Sequence, residues 1–262
     1  MAGEFQGKVV VVSGGSRGIG RAIAAAFAKE GAQTVLASSD ASKLDAAAKE
    51  LGKAGGPAPF TVAGDLRTLA GCEALFKQVN EKFKRCDVLV NNAGATRAGN
   101  FADLPDEAWL DGYALKMFGA VRLTRLFWPL IKSQEGSVVF IGGGAARTPD
   151  SDFLIGASVN AAMAAFSKGL SRMGMRDNVT VNIIHPGATV TERTETLLKQ
   201  RSEASGKSVE ELRTAMLTKS GIRRMGEPEE IAALAVFLCS KNGRHIQGTA
   251  IAVDGGQTPG NY

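Results

Sequence analysis

Residues 8–31 read KVVVVSGGSRGIGRAIAAAFAKEG and set the pattern for the rest of the chain. Four consecutive valines, residues 9–12, are typical of a short strand that is buried on both faces of a parallel sheet. A glycine-rich turn follows, and the alanine-rich stretch 21–30 predicts a helix that ends at Gly31. A strand, a glycine turn and a helix in this order place the pyrophosphate of a dinucleotide at a helix N-terminus. The alternative is a plain tight turn between a strand and a helix.

Composition excludes several classes of protein. The 262 residues carry 31 Lys and Arg against 26 Asp and Glu, a net charge of +5 without long basic runs, which argues against nucleic-acid binding. The longest apolar run, residues 231–239, is far shorter than the ~20 residues that span a bilayer, so no membrane partner is expected. Residues 1–7 lack the apolar core of a signal peptide. The cysteines are scattered and only two histidines are present, which predicts a reduced, cytoplasmic location and no metal site: Cys72, Cys86, Cys239, His185 and His245.

Strand-like and helix-like segments alternate through the whole chain. The predicted strands are residues 9–12, 34–37, 59–62, 88–90, 138–141, 179–184 and 250–253. The predicted helices are residues 21–30, 42–54, 70–83, 107–131, 155–175 and 229–238. This order predicts one α/β domain over residues 1–262, with a doubly wound parallel sheet flanked by helices. The polar stretch 191–224 predicts one or two inserted helices that form a lid over the active site, or else an exposed flap without a role.

The short motifs that lie at the ends of these segments resemble those of the short-chain dehydrogenase/reductases. The motifs are Ser13-Gly-Gly-Ser-Arg-Gly-Ile-Gly20, Asp65-Leu66, Asn91-Asn-Ala-Gly94, Pro186-Gly187 with Thr191, residues 224–232 and Val253-Asp-Gly-Gly256. The resemblance covers residues 8–256 and implies a Rossmann-type fold that binds a nicotinamide dinucleotide. It assigns the cofactor contacts to Gly14, Ser16, Arg17, Gly18, Ile19, Gly20, Asp65, Leu66, Asn92, Ala93, Gly94, Asn160, Pro186, Gly187, Thr189 and Thr191.

The end of the second predicted strand bears on the choice of cofactor. An acidic residue at this position binds the ribose of NAD and repels the 2′-phosphate of NADP, and here the position is Ser38, followed by Ser39. Both hydroxyls can donate to a phosphate, and Arg17 can add a positive charge unless it points to solvent. Asp40 comes one residue too late for the acidic role. We therefore expect NADP(H) rather than NAD(H).

The positions where the family keeps its catalytic groups depart from the pattern. The resemblance implies a tetrad of Asn, Ser, Tyr and Lys, in which Tyr donates the proton and Lys lowers its pKa. These four positions fall on Lys116, Gly143, Gly156 and Asn160 respectively. Glycine has no proton to give, so the usual carbonyl reduction is expected to be crippled. The missing side chains at residues 142–144 and 156 also predict an enlarged cleft.

Two residues remain as candidate catalytic groups, Lys116 and Tyr113. Lys116 is expected to project into the cleft as an acid or an amine nucleophile, or else to reach solvent or pair with Asp111 or Glu107. Tyr113 lies one helical turn earlier and is expected to share its face, or else to be a core or interface aromatic. The only other tyrosine, Tyr262, ends the chain and could reach a neighbouring subunit, but is expected to be a loose end.

Three hypotheses of function follow. The first is an NADP(H)-linked oxidoreductase with an atypical site. The second is a catalytically silent nucleotide-binding protein that acts as a sensor or a partner subunit. The third is a Lys116-based lyase or isomerase without net redox chemistry. The resemblance also implies a homo-oligomer, a tetramer or a dimer; the substrate is not predicted.

Overall fold

The structure, a computed structural model, describes residues 3–53 and 56–259. The strands are β1 (Val9–Ser13), β2 (Gln33–Ser38), β3 (Phe60–Ala63), β4 (Val88–Asn91), β5 (Ser137–Ile141), β6 (Thr180–Pro186) and β7 (Ala250–Val253). The helices are α1 (Gly18–Lys29), α2 (Ala41–Lys53), α3 (Leu69–Phe83), α4 (Asp106–Gly112), α5 (Gly119–Ser133), α6 (Leu154–Asp177), α7 (Glu192–Ser205), α8 (Val209–Ser220) and α9 (Pro228–Cys239). The predicted end of the second helix, Ala54, lies outside the described residues.

The seven strands form one parallel sheet in the order β3-β2-β1-β4-β5-β6-β7. The chain runs outward from β1 to β3 and then returns to β4, which pairs with the free side of β1. Such a reversal leaves a crevice beyond the carboxyl ends of β1 and β4, where open α/β sheets bind their ligands. The doubly wound α/β fold is therefore confirmed, and the topology points to the ends of β1 and β4 as the place to look for a site.

Both faces of the sheet are covered, which explains the run of valines in β1. Val9 and Val11 face a core that the sheet shares with α3, α5 and α6. Val10 and Val12 face a second core shared with α1, α2 and α9. Because successive side chains of a strand point to opposite faces, a strand between two cores must be apolar at every position.

The predicted helix 107–131 is interrupted. The chain forms α4, then a π-helix over Tyr113–Phe118, and then α5. A continuous apolar pattern does not reveal such a wider turn, which proteins use most often at functional sites. The break falls on the segment that carries Lys116.

Two further segments answer predictions made from the sequence. The polar stretch 191–224 contains α7 and α8, each with a hydroxyl side chain as its N-cap, Thr191 and Ser208. The segment Ser151–Asp177 is long and apolar enough to cross a membrane, by length and composition only. Its helix α6 packs Ile155 and Val159 into the core beside α5.

Candidate active site

The glycine turn after β1 is built for close approach to the N-terminus of α1. Gly14 and Gly18 have φ angles of +66° and +52°, in the left-handed region that favours glycine. A Cβ atom at Gly20 would lie 2.2 Å from the carbonyl oxygen of Gly14, so only glycine fits there. No side chain caps the first turn of α1, and its N–H groups stay available to an anion.

The Asn-Asn-Ala-Gly turn after β4 holds the glycine turn in place. The side-chain amide of Asn92 donates to the carbonyl oxygens of Ser13 and Gly14, each at 3.1 Å. The hydroxyl of Ser13 accepts hydrogen bonds from the backbone N–H groups of Asn92 and Ala93 at 3.0 and 3.1 Å. These four bonds tie the carboxyl ends of β1 and β4 together, so the two turns form one wall of the crevice.

The carboxyl end of β2 presents hydroxyl groups rather than a carboxylate. Ser38 accepts a hydrogen bond from the Ser16 hydroxyl at 3.2 Å. The carboxylate of Asp40 accepts from the Ser42 hydroxyl at 2.7 Å and from the backbone N–H of Lys43 at 3.1 Å, and it pairs with the Lys43 ammonium at 2.8 Å. The hydrogen bonds from Lys43 and Ser42 hold the pKa of Asp40 well below its usual range. Asp40 therefore caps α2, and its carboxylate is engaged by that helix.

A cleft of about 550 Å³ runs along the carboxyl ends of the strands. It is lined by Gly14, Ser16, Arg17, Gly18, Ile19, Ser38, Ser39, Asp65, Leu66, Asn92, Ala93, Gly94, Lys116, Gly143, Asn160, Pro186, Gly187, Thr189 and Thr191. All the residues that sequence reasoning assigned to the cofactor therefore lie on this cleft except Gly20, which packs beneath it against Gly14. In residues 3–53 and 56–259, no group of three His, Cys, Asp or Glu side chains could hold a metal ion.

Lys116 enters the cleft from the π-helix. Its methylene groups cross the Cα of Gly94, where an added Cβ would meet Lys116 Cδ at 2.8 Å. Its ammonium donates to the carbonyl oxygen of Gly142 at 3.1 Å. Burial, and then the nearby guanidinium of Arg193, lower the pKa of Lys116 from 10.5 to about 8. Lys116 is half-buried on the cleft and does not pair with Asp111, whose carboxylate binds Arg67 instead.

Asn160 and His185 occupy the space left by the glycines after β5. A Cβ at Gly143 would lie 2.8 Å from Nδ2 of Asn160, and a Cβ at Gly142 would lie 2.6 Å from Nδ1 of His185. Asn160 is 3% exposed, and its Oδ1 has no hydrogen-bond partner among the described residues. A buried amide oxygen without a partner on the wall of a cleft fits a ligand hydroxyl that would donate to it.

Phe153 occupies the space expected to be open at Gly156. A Cβ added to Gly156 would lie 2.1 Å from two atoms of the Phe153 ring, and that ring lines the cleft. Together with Asn160 and His185, it fills the volume that the glycines leave. The prediction of an enlarged cleft is therefore wrong at Gly142, Gly143 and Gly156. Sequence reasoning missed Phe153, although it lies within one helical turn of the glycine.

His185, on β6, contacts the glycine loop 142–144 after β5, and sequence reasoning missed this role. Its Nδ1 accepts a hydrogen bond from the backbone N–H of Gly143 at 3.1 Å. Burial, and then the Arg147 guanidinium, lower its pKa to about 4, so the imidazole stays neutral at physiological pH. Its position directly before Pro186, at the end of a strand, is the signal that could have found it.

Tyr113 does not reach the cleft. Its side chain packs against the core between the sheet, α5 and α6, as a partly buried hydrophobic residue. Of the two alternatives drawn from the sequence, the structure therefore shows the core aromatic and not a face shared with Lys116. The π-helix over Tyr113–Phe118 has a wider turn than the α-helix from which the shared face was inferred. Tyr262 lies outside the described residues.

Arg193, on the first turn of α7, lines the cleft and bonds to the loop after β4, and sequence reasoning missed it. Its guanidinium donates to the carbonyl oxygens of Gly94 at 3.4 Å and of Thr96 at 3.0 Å, on the loop that follows β4. Burial, and then the charge of Arg17, lower the pKa of Arg193. The signal was its place two residues after Thr191, at the end of the Pro-Gly-x-x-x-Thr segment.

Comparison with known proteins decides the family. The family model described as enoyl-(acyl carrier protein) reductase matches residues 14–258. The chain is 33% identical over 259 residues to the uncharacterized oxidoreductase YvaG of Bacillus subtilis, a match that covers 97% of each. The protein is a short-chain dehydrogenase/reductase. The resemblance that the motifs suggested is thereby confirmed.

Two solved structures extend the comparison. L-sorbose reductase from Gluconobacter frateurii, complexed with NADPH and L-sorbose, is 33% identical to this short-chain dehydrogenase/reductase, with a TM-score of 0.95 and full coverage of both chains. A 3-ketoacyl-(acyl-carrier-protein) reductase from Brucella melitensis, complexed with NADH, is 25% identical with a TM-score of 0.84, covering 97% of this chain and 100% of the other. The shared architecture places this protein among oxidoreductases of the family.

Proposed function

We propose that this short-chain dehydrogenase/reductase is an NADP(H)-linked carbonyl reductase in which the Lys116 ammonium supplies the proton. The observation that carries the proposal is the position of Lys116. Its ammonium lies 3.1 Å from the Gly142 carbonyl oxygen, on the cleft that also carries the predicted cofactor residues. No tyrosine hydroxyl lines this cleft in the described part of the chain.

The cleft fits a dinucleotide in three respects. The uncapped N-terminus of α1 and the glycines of its turn can accept a pyrophosphate, and Asp65 and Leu66 line the cleft where they would flank the adenine. The unpartnered Oδ1 of Asn160 can accept a hydrogen bond from a ribose hydroxyl. Pro186, Gly187, Thr189 and Thr191 form the wall that would hold the carboxamide. When bound, the reduced nicotinamide supplies a hydride to the substrate carbon.

The preference for NADP(H) is supported by the end of β2. The carboxylate of Asp40 caps α2 by accepting hydrogen bonds from Ser42 and Lys43. It therefore does not take the place of an acidic residue at the strand end, which would repel a 2′-phosphate. Ser38, Ser39 and Arg17 line the cleft instead and offer two hydroxyls and a guanidinium. The similar L-sorbose reductase is described in complex with NADPH, whereas the Brucella reductase is described with NADH.

The proton chemistry follows from the environment of Lys116. With a pKa of about 8, the amine is mostly protonated at neutral pH and is a stronger acid than an exposed lysine. As hydride reaches the carbonyl carbon, the ammonium gives one proton to the carbonyl oxygen, which becomes the hydroxyl of an alcohol. The neutral amine then takes a proton from water. Gly142 orients the ammonium, because its carbonyl oxygen accepts one of the three ammonium protons.

The test compares Lys116→Met with the parent protein. Met keeps an apolar stem against Gly94 and removes the acid. We expect NADPH oxidation with aldehydes and ketones to fall about 10²- to 10⁴-fold, with NADPH affinity by calorimetry within about twofold of the parent. Parent activity should fall as the pH rises through about 8, where Lys116 loses its proton. Lys77→Met, which removes an exposed lysine on α3, is the matched control and should keep full activity.

The second candidate function is a silent nucleotide-binding protein, and the position of Phe153 favours it. Its ring fills the space at Gly156 where the family resemblance implies a tyrosine. Nucleotide binding with no oxidation of NADPH across aldehydes, ketones, activated alkenes and imines would support this candidate against the first. Turnover that Lys116→Met leaves unchanged would instead remove Lys116 from the mechanism.

A further inference from the structure

Four cations of the described residues line the cleft, and only Arg67 among them pairs with carboxylates, those of Asp65 and Asp111. Arg17, Lys116 and Arg193 form no ion pair with any carboxylate of the described residues. The two acids that line the cleft are occupied by other arginines. Glu192 pairs with Arg21 at 3.8 Å, and Asp65 pairs with Arg67 at 3.3 Å.

Lys116 and Arg193 are fixed next to each other by one residue, Gly94. The methylene groups of Lys116 pack on its Cα, and the guanidinium of Arg193 donates to its carbonyl oxygen at 3.4 Å. The only hydrogen bonds of these two cations within residues 3–53 and 56–259 go to neutral carbonyl oxygens, those of Gly142, Gly94 and Thr96. Because Lys116 and Arg193 both contact Gly94, their two positive charges repel each other in a partly buried cleft until an anion binds between them.

Arg193 has donors left for such an anion. A guanidinium carries five N–H donors, and the bonds to Gly94 and Thr96 use two of them. The remaining donors suit a carboxylate, which arginine binds with two parallel hydrogen bonds. Arg17 lies at the glycine turn, where the phosphates of a dinucleotide would neutralise it. The charge at the Lys116 end is left for the substrate.

We propose that the substrate is an oxo acid, whose carboxylate binds Arg193 while its carbonyl oxygen faces Lys116. This inference rests on the proposed function for the role of the carbonyl but not for the anion site itself. A neutral ester of the same acid keeps the carbonyl and the shape and loses only the charge, so the pair isolates the contribution of Arg193.

The experiment measures binding of pyruvate, acetoacetate and levulinate, each beside its methyl ester, to the protein saturated with NADP⁺. We expect at least one acid to bind about tenfold or more tightly than its ester in calorimetry. Arg193→Met should weaken that acid about 10- to 100-fold and leave the ester unchanged, and Arg193→Lys should recover part of the loss. Lys199→Met, which removes an exposed cation from the same helix, is the matched control and should bind like the parent.

Several results would overturn the inference. Equal affinity for acids and esters would do so, as would no measurable binding of any acid at millimolar concentration. A proportionate loss of NADP⁺ and acid binding in Arg193→Met would assign Arg193 to the phosphates of the cofactor. Acid binding as expected without any oxidation of NADPH would keep the anion site and refute the proposed function. Reduction of esters as fast as acids would keep the function and refute the anion site.

Discussion

Replacing Lys116 by methionine should make the stability of the protein less dependent on pH. The pKa of Lys116 falls from 10.5 to about 8 on folding, because the ammonium is buried and lies near Arg193. A difference of about 2.5 in pKa, at about 1.36 kcal/mol for each step, corresponds to on the order of 3 kcal/mol at neutral pH. The folded protein bears this cost as long as the lysine is charged.

The sign and the pH window follow from proton linkage. Below about pH 8 the lysine is charged in both states, so the full cost is present. Between about pH 8 and the unfolded pKa of 10.5, the folded protein loses the proton while the unfolded chain keeps it, so unfolding takes up a proton. The free energy of unfolding therefore rises with pH across this window and levels off above it.

The assay is denaturant unfolding of the parent and Lys116→Met at pH 7 and pH 10. Met also loses the hydrogen bond to Gly142, but that loss is nearly the same at both pH values and cancels in the comparison. We expect the free energy of unfolding of the parent, relative to that of Lys116→Met, to rise by about 2 to 3 kcal/mol from pH 7 to pH 10. Lys77→Met, the exposed control, should show a change below about 0.5 kcal/mol. A change that small for Lys116→Met would refute the burial of a charged lysine in this cleft.

Three further substitutions test other parts of the site. Ser38→Asp adds a carboxylate at the end of β2 and should weaken NADPH about 10- to 100-fold in calorimetry while NADH affinity holds; an equal loss for both nucleotides would contradict the cofactor preference. Gly156→Tyr should lower stability in thermal unfolding by about 1–3 kcal/mol, because its Cβ meets the Phe153 ring, and adding Phe153→Ala should recover most of that loss. Gly156→Tyr alone being as stable as the parent would show that the Phe153 ring moves aside at no cost. Asn92→Ala removes two hydrogen bonds to the glycine turn, so it should lower the free energy of unfolding by about 1–3 kcal/mol and weaken the binding of NADPH and NADH in calorimetry. Unchanged nucleotide affinity would show that these two hydrogen bonds do not support nucleotide binding.

Neighbouring side chains replace what the glycines of the active site lack. Asn160 lies against Gly143, His185 against Gly142 and the Phe153 ring against Gly156. Closely packed interiors leave few voids, so a missing side chain is filled by whichever neighbour can reach it. The identity of that neighbour depends on how α6 and β6 pack, which a local sequence pattern does not contain.

The local sequence determined most of the strands and helices of this protein, and it identified most of the residues that line the cleft. The valines of β1 required two cores, and the glycine turn required a helix N-terminus beside it, because period and backbone freedom act over a few residues. Tertiary packing decided the direction of each functional side chain. It inserted a π-helix that separates Lys116 from Tyr113, and it brought Arg193 across the cleft to Gly94. Each of these outcomes depends on contacts between elements distant in sequence or on a local turn that competes with a regular pattern.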